Sequence, residues 1–168
     1  MNPRQNGFSL IELLIVVAII LIISAIAIPN LLRSKMAANE ASTVSSLRSI
    51  NTGEITYAAL YPTLGYSLDL ASLGGGAAVC NTGAATPTAA CVIDDVVAQA
   101  TSTAKAKSGY YFTYGGLVTN GTVTTAYTVV GSPVGPGFTG QRYFFTDQSG
   151  VLRYGLSGVP TIASSPIQ

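Results

Sequence analysis

Residues 7–29 read GFSLIELLIVVAIILIISAIAIP, and this stretch dictates how the rest of the chain must be organised. From Phe8 to Ile28 only Ser9, Glu12 and Ser24 interrupt an apolar run. At about 1.5 Å per residue in a helix, the run is long enough to cross a bilayer. A helix that is apolar on every side has to be covered by lipid or by other protein. Glu12 is the anomaly, because a carboxylate in hydrocarbon costs roughly 2.5–3.5 kcal/mol. A charge kept in such a place marks a functional position and calls for a cationic partner. The natural partner is an amine.

These residues resemble the N-terminus of type IV pilins and their pseudopilin relatives. The resemblance rests on a short leader that contains Arg4 and ends in Gly7, on the aromatic Phe8, on Glu12 as the fifth residue from that junction, and on the apolar run closed by Pro29. It implies that a membrane peptidase removes residues 1–7 by cutting between Gly7 and Phe8, then methylates the new amine of Phe8. It implies a single-pass subunit in the inner membrane with its head in the periplasm. ATP-driven assembly machinery would then pack copies into a helical surface filament. In that filament Glu12 of one subunit would form a salt bridge with the Phe8 amine of another. Two other readings compete. A secretory signal would end at Ala25-Ile26-Ala27 behind Arg4, but the length of the run and Glu12 near its start oppose it. A plain anchor would leave Glu12 incidental. Arg4 on one flank and Arg33 with Lys35 on the other do not set an orientation.

Composition bounds the remainder. Of 168 residues, about 135 lie beyond the span, enough for one modest core. Charged residues are only 9%, eight basic against seven acidic. A neutral surface rich in Ser, Thr, Ala and Gly argues against electrostatic nucleic-acid binding. It suits burial against copies of the same chain, where each unpaired charge would have to be desolvated. The chain has no His, so the usual general base is missing, and we expect no catalytic residues, no metal and no cofactor. Asp94 and Asp95 form the one close carboxylate pair, but neighbours on a helix point about 100° apart and do not converge. Gly74-Gly75-Gly76 lacks the Lys of a phosphate loop and reads as a flexible connector.

Beyond Pro29 the helical pattern resumes. Leu32, Met36, Val44, Leu47, Ile50, Ile55 and Ala58 fall near i, i+3/i+4 spacing, with Arg33, Lys35, Glu40, Arg48 and Glu54 mostly off that stripe. One helix from about Phe8 to Tyr61 would be roughly 80 Å long. Pro29 removes a bond to the Ala25 carbonyl and marks a helix break that costs about 3 kcal/mol. Residues 62–108 read as a connecting region, except that Ile93, Val96, Val97 and Ala100 share one face of a short docked helix.

The C-terminal part is β. In SGYYFTYGG the alternation places Tyr110, Phe112 and Tyr114 toward the long helix. Thr119–Thr122 reads as an Asn-Gly hairpin turn with both central residues at positive φ. Asn120-Gly121-Thr122 also matches a glycosylation sequon, which the turn explains better. QRYFFT and VLRYG form a second hairpin about Asp147-Gln148-Ser149-Gly150. The aromatic residues read as sheet core and packing rather than as a path for electrons. Cys80 and Cys91 flank a Gly/Ala/Thr loop; in an oxidising compartment a disulfide there stabilises by roughly 2–3 kcal/mol, and the alternative is two free buried thiols.

The expected architecture is therefore α+β: a long N-terminal α-helix, with a transmembrane or filament-core half over 8–30 and an amphipathic half, packed against a four-stranded antiparallel sheet. The head would span 31–168, with the helix ending near 61, the sheet over about 109–155 and a C-terminal tail. The resemblance implies a major filament subunit whose partners are itself, the peptidase/methyltransferase, the assembly machinery and the membrane. A type II secretion pseudopilin is one alternative, weakened because the tail after Tyr154 holds no carboxylate for the calcium loop such proteins usually carry. A minor pilin acting as adhesin or DNA-uptake factor is another, weakened because no basic patch supports DNA binding and Lys105 and Lys107 are the one close basic pair past the long helix.

Overall fold

The computed structural model describes residues 8–156 and 158–167. The chain divides into two compact units, one ending at Lys35 and one running from Met36. Helix α1 spans Leu10–Leu60 with Pro29 inside it. The short helices α2 (Gly76–Cys80) and α3 (Asp95–Ala98) follow. Strands β1 (Tyr110–Asn120), β2 (Val123–Pro133), β3 (Tyr143–Asp147) and β4 (Arg153–Gly155) come last. The sheet order is β1-β2-β3-β4, antiparallel throughout, so the molecule is α+β.

In the first unit every large apolar side chain from Phe8 to Leu32 stands exposed. No core forms there, because a lone helix has nothing to bury against. In the second unit the core is built from Leu47, Ile50 and Tyr57 of α1, Leu70 and Leu73 of the connection, and Tyr110, Phe112, Tyr127, Val129 and Phe144 of the sheet. Alternation along β1 puts Tyr110 and Phe112 inside and Thr113 outside, as their spacing requires.

Four expectations need correction. The buried stripe of α1 runs through Glu40, Thr43, Leu47, Ile50, Glu54 and Tyr57, while Ile55 is exposed. Both carboxylates lie on the helical repeat that faces the sheet, and hydrogen-bond donors there satisfy them. In α3 the buried residues are Val97 and Ala98, and Val96 faces solvent. Asp94 caps that helix, its side chain accepting from the Val96 N–H at 3.0 Å. The triple-glycine region is not a plain connector, since Gly76 begins a helix that carries Cys80. Finally, the β1–β2 turn is centred on Gly121 and Thr122, with positive φ at Gly121 (64°) and not at Asn120. Gly at the first central position is the pattern of a II′ turn, whose twist also matches the flanking strands.

Gly53 decides how the connection packs. A Cβ built there would lie 2.5 Å from Ile93 Cγ2, so the absent side chain lets residues 92 and 93 lie against α1. The tail closes the far edge of the sheet: Tyr154 donates to the Ser165 carbonyl at 3.1 Å and Ile167 to that of Leu152 at 2.8 Å. β4 is three residues long, and this cover protects its edge from pairing with another chain.

Candidate functional site

The residues singled out near the N-terminus meet at the start of α1. Gly7 and the rest of the leader lie outside the described residues, so the structure describes only the Phe8 side of the junction. Phe8 is 77% exposed. The Ser9 N–H donates to Glu12 Oε2 at 2.9 Å, and the Leu13 N–H donates to the Ser9 carbonyl at 3.3 Å. Ser9-Leu10-Ile11-Glu12 has the S-x-x-E spacing of a capping box, of which this bond is the Glu-to-backbone half. That local role is a function of Glu12 that reading it only as half of an intersubunit pair overlooks, and the spacing was legible. Oε1 of Glu12 has no hydrogen bond among the described residues.

Pro29 sits within α1, which continues past it to Leu60. Pro29 cannot donate a backbone bond, so the ladder of the helix is one bond short there.

In the head, Cys80 and Cys91 are joined by a disulfide with Cα atoms 5.6 Å apart. Gly75 seats it: a Cβ at that position would fall within 3 Å of both sulfurs. The Cys91 N–H donates to the Gly74 carbonyl at 2.8 Å, so the bridge holds a loop that is also tied by its backbone. Among the described residues no cluster of His, Cys, Asp or Glu is arranged to hold a metal ion.

Two charged devices in the head escaped the periodicity argument. Glu40 accepts from the Gln141 N–H at 2.8 Å, the Arg142 N–H at 3.1 Å and Arg142 Nε at 2.7 Å. Burial alone would raise its pKa, but these donors and the guanidinium together hold it below the ordinary carboxylate value. The Arg142 guanidinium also lies over the rings of Phe144 and Tyr154. Glu54 is fully buried. It accepts from the Ser67 N–H at 2.9 Å, Ser67 Oγ at 2.6 Å and the Tyr114 hydroxyl at 2.7 Å. Here burial wins over the hydrogen bonds and the pKa is raised. The same burial, with the charge of Glu54 beside it, raises the Tyr114 hydroxyl. The two carboxylates clip α1 to the β2–β3 connection and to the segment after the helix. The signal for them was available: acids fourteen residues apart on α1 (Glu40, Glu54) repeat on the face of Leu47.

Comparison with known proteins bears on the N-terminal segment. The family described as the prokaryotic N-terminal methylation motif matches residues 2–28. The type IV major pilin protein PilA of Myxococcus xanthus is 43% identical over 56 residues, 33% of this chain and 26% of that protein. The type IV wide pilus major component PilA4 of Thermus thermophilus is 57% identical over 37 residues, 22% of this chain and 28% of that protein. The chain therefore spans about a quarter of the length of these relatives. No solved structure matches it.

Proposed function

We propose that this chain, whose N-terminal segment is that of a type IV pilin, is the major structural subunit of a surface filament and has no catalytic role. The observation that carries the reading is the helix from Leu10, where all large apolar side chains as far as Leu32 lack cover while Glu12 is kept among them. In water such a surface is unfavourable by roughly 25 cal/mol per Å². Lipid can cover it before assembly, and helices of other copies can cover it afterwards. Residues 1–7 are the leader, residues 8–30 the transmembrane and filament-core half, and residues 31–168 the head, placed in the periplasm until assembly. A peptidase/methyltransferase cuts at Gly7–Phe8 and methylates the Phe8 amine. Assembly machinery, which this chain does not encode, supplies the work of extraction.

Glu12 sets register in this scheme. The apolar flanks are interchangeable along the helix, so they do not distinguish one axial position from the next. Once the junction is cut, the Phe8 amine of one subunit and the Glu12 carboxylate of another pair in one register only. A misregistered copy leaves a buried charge unpaired, at several kcal/mol, and specificity comes from that penalty. Intact mass of the subunit from sheared filaments tests the processing. The expected mature chain begins at Phe8 and carries one methyl group; a start at Ile28 would show a secretory signal instead. Abundance tests the major role, since a major subunit dominates the filament preparation. Glu12→Val is expected to insert, be cleaved and fold, yet assemble poorly as the sole copy. Normal filament yield from that variant would refute the role of Glu12.

A further inference from the structure

The β2–β3 connection is both rigid and sticky. Within it the Phe138 and Thr139 N–H groups donate to the Gly135 carbonyl at 3.0 and 2.8 Å, and the Gly137 N–H donates to the Gly140 carbonyl at 2.8 Å. Asn39 Nδ2 of α1 donates to the Thr139 carbonyl at 2.9 Å, and Glu40 accepts from the Gln141 and Arg142 N–H groups. At the tip of this pinned loop Phe138 is 79% exposed, with Val134 exposed beside it. An exposed aromatic side chain on a pinned backbone is a partly preorganised anchor, because the backbone has little conformational freedom left to lose on binding.

The same head carries a cavity of about 260 Å³ lined by Tyr57, Leu64, Tyr66, Leu68, Pro87 and Thr122 among others. A dry cavity of about 150 Å³ suffices for a benzene ring. Its lining is mostly apolar and aromatic, and its one carboxylate, Asp69, already accepts from the Ser72 N–H and Oγ. The loop VGPGFTG carries no charge, so joining the two would strand no ion.

Ring and cavity lie at different levels of α1. The loop is tied to Asn39 and the cavity is walled by Tyr57, which are about 27 Å apart along a helix rising 1.5 Å per residue. A loop pinned in this way does not reach the cavity of its own chain. We infer that Phe138 of one copy seats in the Tyr57/Tyr66/Leu68 cavity of a second copy in the filament. The contact joins two unlike surfaces, so it is heterologous; repeated contacts of this kind give a ring where the rotation closes and an open helix where it does not, and the open helix is the form a filament takes. This inference rests on the filament reading and adds a contact between heads to the helix packing of that reading.

The test places a photoreactive benzophenone analogue of phenylalanine at position 138 in cells that assemble filaments, then irradiates the sheared filaments. The expected product is a covalent dimer whose cross-linked peptide maps to residues 64–68 or 86–88 of a second copy. Filaments that contain this chain but give no dimer, or give adducts on residues 10–35, on lipid or on another protein, overturn the contact and leave the filament reading standing. Surface filaments without this chain overturn both. As a second measurement, Phe138→Ala and Leu68→Asp, both at exposed positions, are expected to speed release of subunits from filaments by about tenfold. The detergent-released subunits should keep their disulfide and circular dichroism. Release at the wild-type rate in both variants overturns the contact.

Discussion

Glu54→Gln isolates the buried carboxylate of the head. In the native head three donors converge on Glu54, two from Ser67 and one from Tyr114. A glutamine has one acceptor oxygen and one amide nitrogen, so either the Ser67 N–H or the two hydroxyls face a donor. The hydroxyls have alternatives, since Ser67 Oγ reaches the Asp69 carbonyl and the Tyr114 hydroxyl reaches that of Ser67. The Ser67 N–H has none, so the variant turns its oxygen toward it or leaves it orphaned. The cost is about 1–3 kcal/mol, which lowers the unfolding midpoint by roughly 3–5 °C per kcal/mol for a head of this size. The pH dependence is the sharper test. Glu54 has a raised folded pKa against an unfolded value of 4.5, so the native head binds the proton more tightly than the unfolded chain does. Stability from this group is therefore fully present below 4.5 and declines as pH rises through the folded value. Glutamine does not titrate. The wild-type advantage over Glu54→Gln is expected to grow as pH falls from neutral toward 4.5. Glu40, whose shift has the opposite sign, is present in both proteins and cancels in the difference. Thermal unfolding of detergent-solubilised subunit with the disulfide intact, followed by the near-ultraviolet signal of the tyrosines, measures it. A difference that stays flat or shrinks on acidification would refute the account.

Other outcomes follow from the same geometry. Glu40→Gln is expected to flatten the acid limb of stability: the Glu40 pKa is depressed, so its contribution is present above 4.5 and lost as pH falls through the folded value. Urea midpoints of both proteins above and below that pH check this, and an unchanged acid limb counts against the clip. Gly53→Ala should be net destabilising, because a Cβ 2.5 Å from Ile93 Cγ2 presses on a stiff β-branched side chain and overpacking of about 1–3 kcal/mol exceeds the gain of about 1 kcal/mol in helix propensity; Gly53→Val should cost more still. Equal unfolding midpoints for Val and wild type would show that the connection does not lie against α1 there. Joint Cys80→Ser and Cys91→Ser replacement should lower head stability by roughly 2–3 kcal/mol without changing the sheet. Non-reducing peptide mapping of the native protein should recover the two cysteines as one linked pair, and recovery of free thiols would remove the basis of that figure.

What could be read from the amino acids alone is what depends on short-range chemistry. The apolar run from Phe8, the carboxylate at Glu12 and the missing N–H at Pro29 were legible because each declares itself locally, but the expected break did not follow, since α1 runs through Pro29 to Leu60. Period-two alternation placed Tyr110 and Phe112 on the inner face, and the sheet order followed from two successive hairpins. Local patterns did not disclose which polar residues the core would accept. Glu40 and Glu54 were assigned to the outer side of α1 because an isolated carboxylate avoids burial. The tertiary fold overrides that preference by bringing donors from positions 141–142 to Glu40 and from positions 67 and 114 to Glu54. The turn at Gly121 moved by one residue because strand register, fixed by pairing along both strands, decides which residue takes positive φ. The packing of Ile93 on Gly53 and the distance between Phe138 and the Tyr57 cavity likewise exist only once distant segments meet. The sequence by itself determined which parts must leave water and which must turn; the tertiary structure decided what those parts touch, because contact depends on the path of the whole chain.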